Sequence, residues 1–273
     1  MRERIKRQDK IDIINNKCLQ DAQLGISQTF IVNKDIKELP YSDIDKYKEG
    51  IVLAIDKPYG WTSADVVRKV KFAAQRFFKV RNLKVGHAGT LDPLATGVLL
   101  VCLGKATKQA ENLQAQEKEY IAKIGLGATT PSFDLEKEID ATYPYEHIDI
   151  DLVTKVLPSF IGEQDQVPPI FSAKLIDGVR AYQIARAGED VQMKAAKITI
   201  YNIELVSFNL PDLVVKINCS KGTYIRSMAR DIGLALSSGG HLKGLIRSAS
   251  GGFSVDQTLN VDDILEIFNK NRA

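Results

Sequence analysis

The sequence predicts an α+β fold, a mixed sheet with peripheral helices. Runs that read as strands outnumber runs that read as helices, and most connections between them are short. The length, 273 residues, is enough to bury a substantial core as one large domain or two small ones.

The elements follow in order. Residues 1–49 read as an N-terminal extension of mixed charge and weak periodicity, with "ELPYSDIDKYKEG" (38–50) as a turn-rich lead-in. "GIVLAIDKP" (50–58) is a strand that enters the turn "KPYGWTS". Thr62 and Asp65 have the spacing of a capping box, and Val66, Val67, Val70, Ala73, Ala74 and Phe77 then repeat as one helical face. A loop follows, and then an apolar run at 97–103 that suits a buried strand. "KEYIAKIGLG" (118–127) alternates, which puts Tyr120, Ala122, Ile124 and Leu126 on one side of a strand. A helix is expected near 151–160, a helical end at "AYQIARAG" (181–188), and strands at 197–208 and 212–220. Ile225, Met228, Ala229, Ile232 and Leu236 mark another helix, and "NVDDILEIFNKNRA" (260–273) can supply one short final helix.

Composition narrows the function classes. The longest aliphatic run, "VLLVCL" (98–103), is too short to cross a bilayer, and "MRERIKRQDK" lacks the apolar core of a secretory signal. Cys18, Cys102 and Cys219 are scattered and odd in number, which points to neither a disulfide framework nor a zinc knuckle. A cytoplasmic protein with no membrane association is expected.

The net charge of +3 matters less than its distribution. From Val66 to Gly104 seven Lys or Arg residues accompany a single acid, Asp92. From Phe133 to Asp165 nine acids face two lysines, and from Leu213 to Arg247 six cations face Asp231 alone. Two basic segments brought together would make a polyanion-binding face; kept apart, they would only solvate separate helices.

Several familiar chemistries are missing. "GHAG" (86–89) and "GLGATT" (125–130) lack the P-loop pattern, and no serine sits in a G-x-S-x-G turn. His87, His147 and His241 are isolated from other metal-ligating residues, so neither a metal nor a cofactor is expected. There remains the lone aspartate in "GTLDPLATG". An Asp-Pro dipeptide usually marks a turn in which the carboxylate bonds its own backbone. Basic surroundings, however, keep a carboxylate ionised even when it is partly desolvated, and an ionised carboxylate can act as a nucleophile. With no second acid nearby, the bond it cleaves needs a leaving group that tolerates negative charge. The N-glycosidic bond of uridine is such a bond.

Five ordered segments then carry a resemblance. "DKPYGWTS" (56–63), "KVGHAGTLDPLATGVLLVCLGKATK" (84–108), "KEYIAKIGLGATT" (118–130), "VPPIFSAKLIDGVRAYQIARAG" (167–188) and "CSKGTYIRSMARDIG" (219–233) resemble the motif series of the TruB family of pseudouridine synthases. The resemblance runs from about Gly50 to Gly252. It implies a mixed, mainly antiparallel central sheet and a catalytic domain over 50–258, with 259–273 as a short C-terminal helix or tail. It also implies isomerisation of uridine 55 in the T loop of tRNA without cofactor or metal, by a monomer that needs no obligate protein partner. On the same footing, Asp92 matches the catalytic aspartate, Tyr120 the tyrosine that stacks on the target base and assists proton transfer, and Arg226 the arginine that pairs with the aspartate. Tyr224 packs near Arg226 among the substrate-binding residues, Leu245 falls at a position that lines the uracil pocket, and His87 at the residue that fills the space left by flipped bases. Lys84 is expected among the basic residues that meet the T stem-loop. The aspartate would attack the ribose, with the pyrimidine ring as the other route.

Two features depart from the pattern. Residues 1–49 have no counterpart in the motif series, and only 21 residues follow Gly252, too few for the C-terminal RNA-binding module of many relatives. Two other readings compete: a non-catalytic RNA-binding module that uses "GHAG" as a backbone clamp, and a guide-RNA-dependent synthase, which needs partner proteins. The first requires helices directly beside the loop, and the strand-like "GVLLVCLG" argues against it.

Overall fold

The computed structural model describes residues 28–270, apart from 173, 177, 182, 183 and 185–192. Most of the expected helical end at 181–188 and the first part of the N-terminal extension lie outside the described residues. The chain divides into two compact units, one of 1–116 with 247–273 and the other of 117–246.

The first unit is built on β1 (Phe30–Val32), β2 (Ile51–Lys57), β3 (Val85–His87) and β4 (Ala95–Leu103). β1 runs parallel to β2, while β2 and β3 both lie antiparallel to β4. The first helix, α1 (Ser63–Phe78), starts at the expected capping box: Thr62 accepts from the Asp65 N–H, and the Asp65 carboxylate accepts from the Thr62 N–H. Its apolar stripe, Val66, Val70, Ala74, Phe77 and Phe78, packs with Ile51, Leu53 and Ile55 of β2 and with Leu99, Val101 and Leu103 of β4. Val52, Ala54, Val98, Leu100 and Cys102 point the other way into a second apolar cluster with Ala106, Leu113 and Phe253. Burial on both faces explains why β4 is a continuous apolar run and not an alternating one. Six-residue α2 (Ala110–Ala115) contributes Leu113, one of the side chains in that cluster.

The lead-in to β2 belongs to this core. Ile31, Val32, Leu39 and Tyr47 are buried, and the Tyr47 ring meets Phe30 edge-on at 5.3 Å and Phe78 at 6.0 Å.

The second unit opens with β5 (Lys118–Leu126), on which Tyr120, Ala122, Ile124 and Leu126 are buried, as the alternation predicts. Two small hairpins, β6 (Ala128–Thr129) with β7 (Ala141–Thr142) and β9 (Leu175–Ile176) with β10 (Val179–Arg180), decorate it. Between them lie α3 (Ile150–Val156) and β8 (Gly162–Gln166). β11 (Ala196–Asn209) and β12 (Asp212–Cys219) complete an antiparallel run in the order β5-β12-β11-β8. Tyr120 stands opposite Ile217, Ala122 opposite Val215 and Ile124 opposite Leu213. The helix α4 (Ile225–Ala235) buries Ile225, Met228, Ala229 and Ile232 and packs on β5.

β13 (Gly240–Ser250) begins in the second unit, and its last residues, from Arg247, belong to the first; there it forms a tight hairpin with β14 (Phe253–Ser254). The chain ends in α5 (Val261–Asn269), capped by Asn260, whose side chain accepts from the Asp263 N–H. α5 packs on α1, with Phe268 edge-on to Phe77 at 5.6 Å. The expected α+β class and mainly antiparallel sheet are therefore present, and the parallel pairing of β1 with β2 in the first unit makes the sheet mixed.

Candidate active site

The segment from Gly89 to Pro93 is pinned through its backbone on both sides of Asp92. Arg247, 1 % exposed, donates from Nε to the Val98 carbonyl at 2.7 Å, from NH1 to Thr90 at 3.2 Å and from NH2 to Gly89 at 3.2 Å. Buried Ser63, in the first turn of α1, donates from Oγ to the Leu91 carbonyl at 3.1 Å and accepts from the Leu91 N–H at 2.9 Å. Pro93 offers its carbonyl to the Gly60 N–H at 2.9 Å and to the Lys57 ammonium at 3.3 Å. Lys57 is wholly buried at the end of β2, and its Nζ also donates to the carbonyls of Trp61 at 2.6 Å and Pro58 at 2.8 Å. Three ammonium hydrogens thus meet three carbonyls.

Gly97 lets β13 come this close. It sits at φ +103°, and a Cβ there would lie 2.3 Å from the Arg247 carbonyl oxygen. Its N–H bonds the Asp56 carboxylate at 2.9 Å, which ties the start of β4 to β2.

Electrostatics follow from this packing. Burial pulls the Lys57 ammonium down to about 8; the Asp92 carboxylate opposes the shift and the Arg247 charge adds to it. Two buried cations therefore share the surroundings of half-buried Asp92. Burial and the same Arg247 charge hold His87 below the usual imidazole range, with the Gly89 backbone partly offsetting them, so its ring is neutral at pH 7. His87 ends β3, and exposed Lys84 immediately precedes that strand.

The other expected site residues lie in the second unit. Tyr120 is 8 % exposed in the middle of β5. Tyr224 caps α4, and its backbone is gripped by the Gln166 amide: Gln166 Oε1 accepts from the Tyr224 N–H at 2.8 Å, and Gln166 Nε2 donates to its carbonyl at 3.1 Å. Arg226, buried in the first turn of α4, donates from NH1 to the carbonyls of Phe171 at 3.0 Å and Ser132 at 3.3 Å. Its Nε lies 3.6 Å from buried Asp134, so at least one charge of the acidic segment is an interior counter-ion and not a solvated one. Leu245 is buried on β13.

Lys57, Ser63, Arg247 and Asp134 were not among the residues singled out from the sequence. Lys57 and Ser63 stand within "DKPYGWTS" and Arg247 within "HLKGLIRSASG", but a buried cation that bonds carbonyls has no spacing signature of its own. Among the described residues, no three His, Cys, Asp or Glu side chains are placed to hold a metal ion.

The α+β class with a mainly antiparallel sheet is the one that the resemblance to pseudouridine synthases implies, and it carries Asp92 on a loop whose flanking backbone is fixed. The structure resembles a chain of a solved Cbf5–Nop10–Gar1 complex with a TM-score of 0.61 at 28% identity, over 87% of this chain and 62% of that one. It also resembles an H/ACA ribonucleoprotein bound to a substrate RNA that contains 2′-deoxyuridine, with a TM-score of 0.58 at 26% identity, over 86% of this chain and 60% of that one. The chain thus spans less than two thirds of each of these solved chains.

The N-terminal domain model of the TruB family of pseudouridylate synthases matches residues 75–225, and the chain belongs to that family. It is 57% identical to tRNA pseudouridine synthase B of Phocaeicola vulgatus over 81% of this chain and 94% of that protein. Identity to the Flavobacterium johnsoniae protein of the same name is 49%, over 80% of this chain and 95% of that one. For the Clostridium kluyveri protein it is 44%, over 77% and 71%.

Proposed function

We propose that this enzyme isomerises uridine 55 in the T loop of tRNA to pseudouridine, with Asp92 as nucleophile. The observation that carries the proposal is the backbone fixation on both sides of Asp92 by Arg247, Ser63, Gly60 and Lys57, beside two buried cations. A carboxylate that only terminated a turn would not need its neighbours held on rigid elements, whereas a nucleophile does.

In the proposed sequence, an Asp92 oxygen adds to ribose C1′ as the N1–C1′ bond breaks, and uracil leaves with the electron pair on N1. The base turns while bound, C5 bonds to C1′, and the carboxylate is displaced. The C5 proton is lost, one is gained at N1, and the result is an isomer of the starting nucleoside. Tyr120 stacks on the base and assists the proton transfer, Arg226 balances the carboxylate charge, and Tyr224 and Leu245 line the uracil pocket. His87, neutral at pH 7, stacks in the gap left by the flipped nucleotide without adding a buried charge. Lys84 meets the RNA backbone. The family resemblance supports these roles, and the names of the relatives support a tRNA substrate.

The test is incubation of the purified protein with an unmodified tRNA transcript, followed by pseudouridine mapping. Conversion of uridine 55 alone is expected from the wild type. Asp92→Asn should give none while holding RNA within about tenfold of wild-type affinity, since it removes the nucleophile and no phosphate contact. Turnover by Asp92→Asn above a few per cent of wild type would remove Asp92 from the chemistry.

A further inference from the structure

Phe133, in the turn between β6 and β7, has φ +61°, a left-handed conformation that an aromatic residue seldom adopts. Lys79 and Ser237 share that conformation, but they close α1 and α4, where it is usual. Phe133 lies at the end of no helix. A glycine or an asparagine would take the same turn at little cost, so the phenylalanine must contribute something through its ring.

Two arginines of α4 meet this one turn. Arg226 reaches the Ser132 carbonyl on one side of Phe133 and the Asp134 carboxylate on the other. Arg230, four residues on and on the same face of the helix, lays its guanidinium 4.6 Å from the centre of the Phe133 ring. The Asp231 carboxylate steadies that guanidinium, accepting from Nε at 2.8 Å and standing 2.7 Å from NH2. The turn has its own bonds as well. The Phe133 N–H donates to the Thr130 carbonyl at 3.1 Å, and the Phe133 carbonyl accepts from the Leu242 N–H at 2.8 Å. Asp134 Oδ1 accepts from the Glu136 N–H at 3.0 Å, which leaves Oδ2 facing Arg226. The start of α4 is fixed from elsewhere, by Gln166 on Tyr224 and by Ser227, whose Oγ donates to the Val167 carbonyl at 2.8 Å. With the helix held, the turn at Phe133 decides how the partners of Arg226 face it.

We propose that Phe133 and Arg230 are positioning residues for Arg226: their stack holds the strained turn that keeps the Ser132 carbonyl and the Asp134 carboxylate on the Arg226 guanidinium. The proposal rests on the reading above, in which Arg226 balances a carboxylate during isomerisation, and adds two residues that act through it. The left-handed residue reverses the chain, so groups on both sides of it reach one guanidinium. The stack offsets the cost of that reversal. A relaxed turn would leave Arg226 its charge but widen the range of directions in which it points. Misdirection of that kind slows the chemical step more than it weakens RNA binding.

The test uses three variants of the full chain. Phe133→Leu keeps an apolar side chain and loses the π face, Phe133→Tyr keeps both, and Arg230→Gln removes the cation from the helix side. On a T-arm hairpin, kcat should fall about tenfold in Phe133→Leu and in Arg230→Gln, with KM within about twofold of wild type. Phe133→Tyr should recover kcat to within about twofold. Hydrogen exchange at the Leu242 amide, which donates to the Phe133 carbonyl, should quicken in the first and third variants and not in Phe133→Tyr. Because both residues act through Arg226, adding Phe133→Leu to Arg226→Lys should lower kcat little further. Should Phe133→Leu fail to fold, Arg230→Gln, which leaves the turn's own sequence intact, decides the matter, alone and combined with Arg226→Lys. Wild-type kcat in the variants that lose the stack, a loss that Phe133→Tyr does not recover, or full additivity with Arg226→Lys would overturn the proposal. A wild type that forms no pseudouridine on any RNA, with faster Leu242 exchange in the same variants, would instead overturn the functional reading and leave the hold of the stack on the turn standing.

Discussion

Lys57 shows how a single side chain can make activity and stability respond to pH in opposite directions. Its folded-state pKa, about 8, lies below the roughly 10.4 of an unperturbed lysine. The unfolded chain therefore holds the extra proton between these values, and this group's contribution to stability grows as pH rises through that window. Deprotonation in the native state, by contrast, leaves fewer hydrogens for the carbonyls of Pro58, Trp61 and Pro93 and removes a positive charge beside Asp92. Turnover should fall above about pH 8 without a matching fall in thermal midpoint, and Lys57→Arg, slower at every pH, should lack that fall. A flat rate profile from pH 7 to 9 would refute this. Arg226 poses a related problem in the second unit. Arg226→Lys keeps the charge but cannot reproduce the planar fork that reaches Ser132, Phe171 and Asp134, so turnover should drop at least tenfold with binding changed far less. Because Asp134 is buried, the variant should also lose about 1–3 kcal/mol of stability, measurable by denaturant titration. Wild-type turnover in that variant would exclude Arg226 from the site.

Among the elements, β13 has the largest influence on the geometry around Asp92, and it was also the hardest to read. α1 is legible because its stripe and its capping box agree, and β5 because its alternation matches its burial. β13 inverts the usual pattern: Ile246 is 40 % exposed while Arg247 beside it is buried, so hydrophobic alternation misassigns the faces. The inversion is tolerated because the Arg247 guanidinium finds carbonyls at Gly89, Thr90 and Val98, and those bonds do not exist until β4 and the loop are in place. β3 is hidden for a simpler reason, since three residues centred on Gly86 carry no period. The residues of the site that could be named from sequence are those to which the proposal gives the chemistry; the residues that hold their backbone depend on tertiary contacts. Arg247→Lys tests that division. A lysine at this position has a single donor atom and cannot reproduce the spread of Nε, NH1 and NH2 to the carbonyls of Val98, Thr90 and Gly89, so the Gly89–Thr90 backbone should loosen while Asp92 itself is untouched. The expected result is a fall in kcat of about 10–100-fold, little change in KM, and faster hydrogen exchange at the Leu91 and Ala95 amides. Unchanged exchange at those amides would show that the arginine does not hold the loop.

At the scale of the whole molecule, the question is how much of the N-terminal extension the fold needs. Sequence alone reads 1–49 as an extension, yet β1 pairs with β2, and Ile31, Val32, Leu39 and Tyr47 are buried in the first unit. At about 1.5–3 kcal/mol for each fully buried aliphatic side chain, the loss of Ile31, Val32 and Leu39 alone approaches the 5–15 kcal/mol that stabilises a typical domain. Deletion through residue 45 should therefore unfold the first unit or lower its midpoint severely. Deletion through residue 27 removes none of these contacts and should leave the midpoint within a few degrees of wild type. The shorter deletion is then the one that can report on RNA, because it takes away Arg2, Arg4, Lys6, Arg7 and Lys10 while exposed Lys71, Arg81, Lys84, Lys105 and Lys108 stay in place. If residues 28–270 supply the principal RNA contacts, kcat/KM on a T-arm hairpin should be unchanged by that deletion, and on whole tRNA it should fall by less than about threefold, with the salt slope lowered by less than about one unit. A preference for whole tRNA that disappears with residues 1–27 would mean that the basic N-terminus sets the affinity for the substrate.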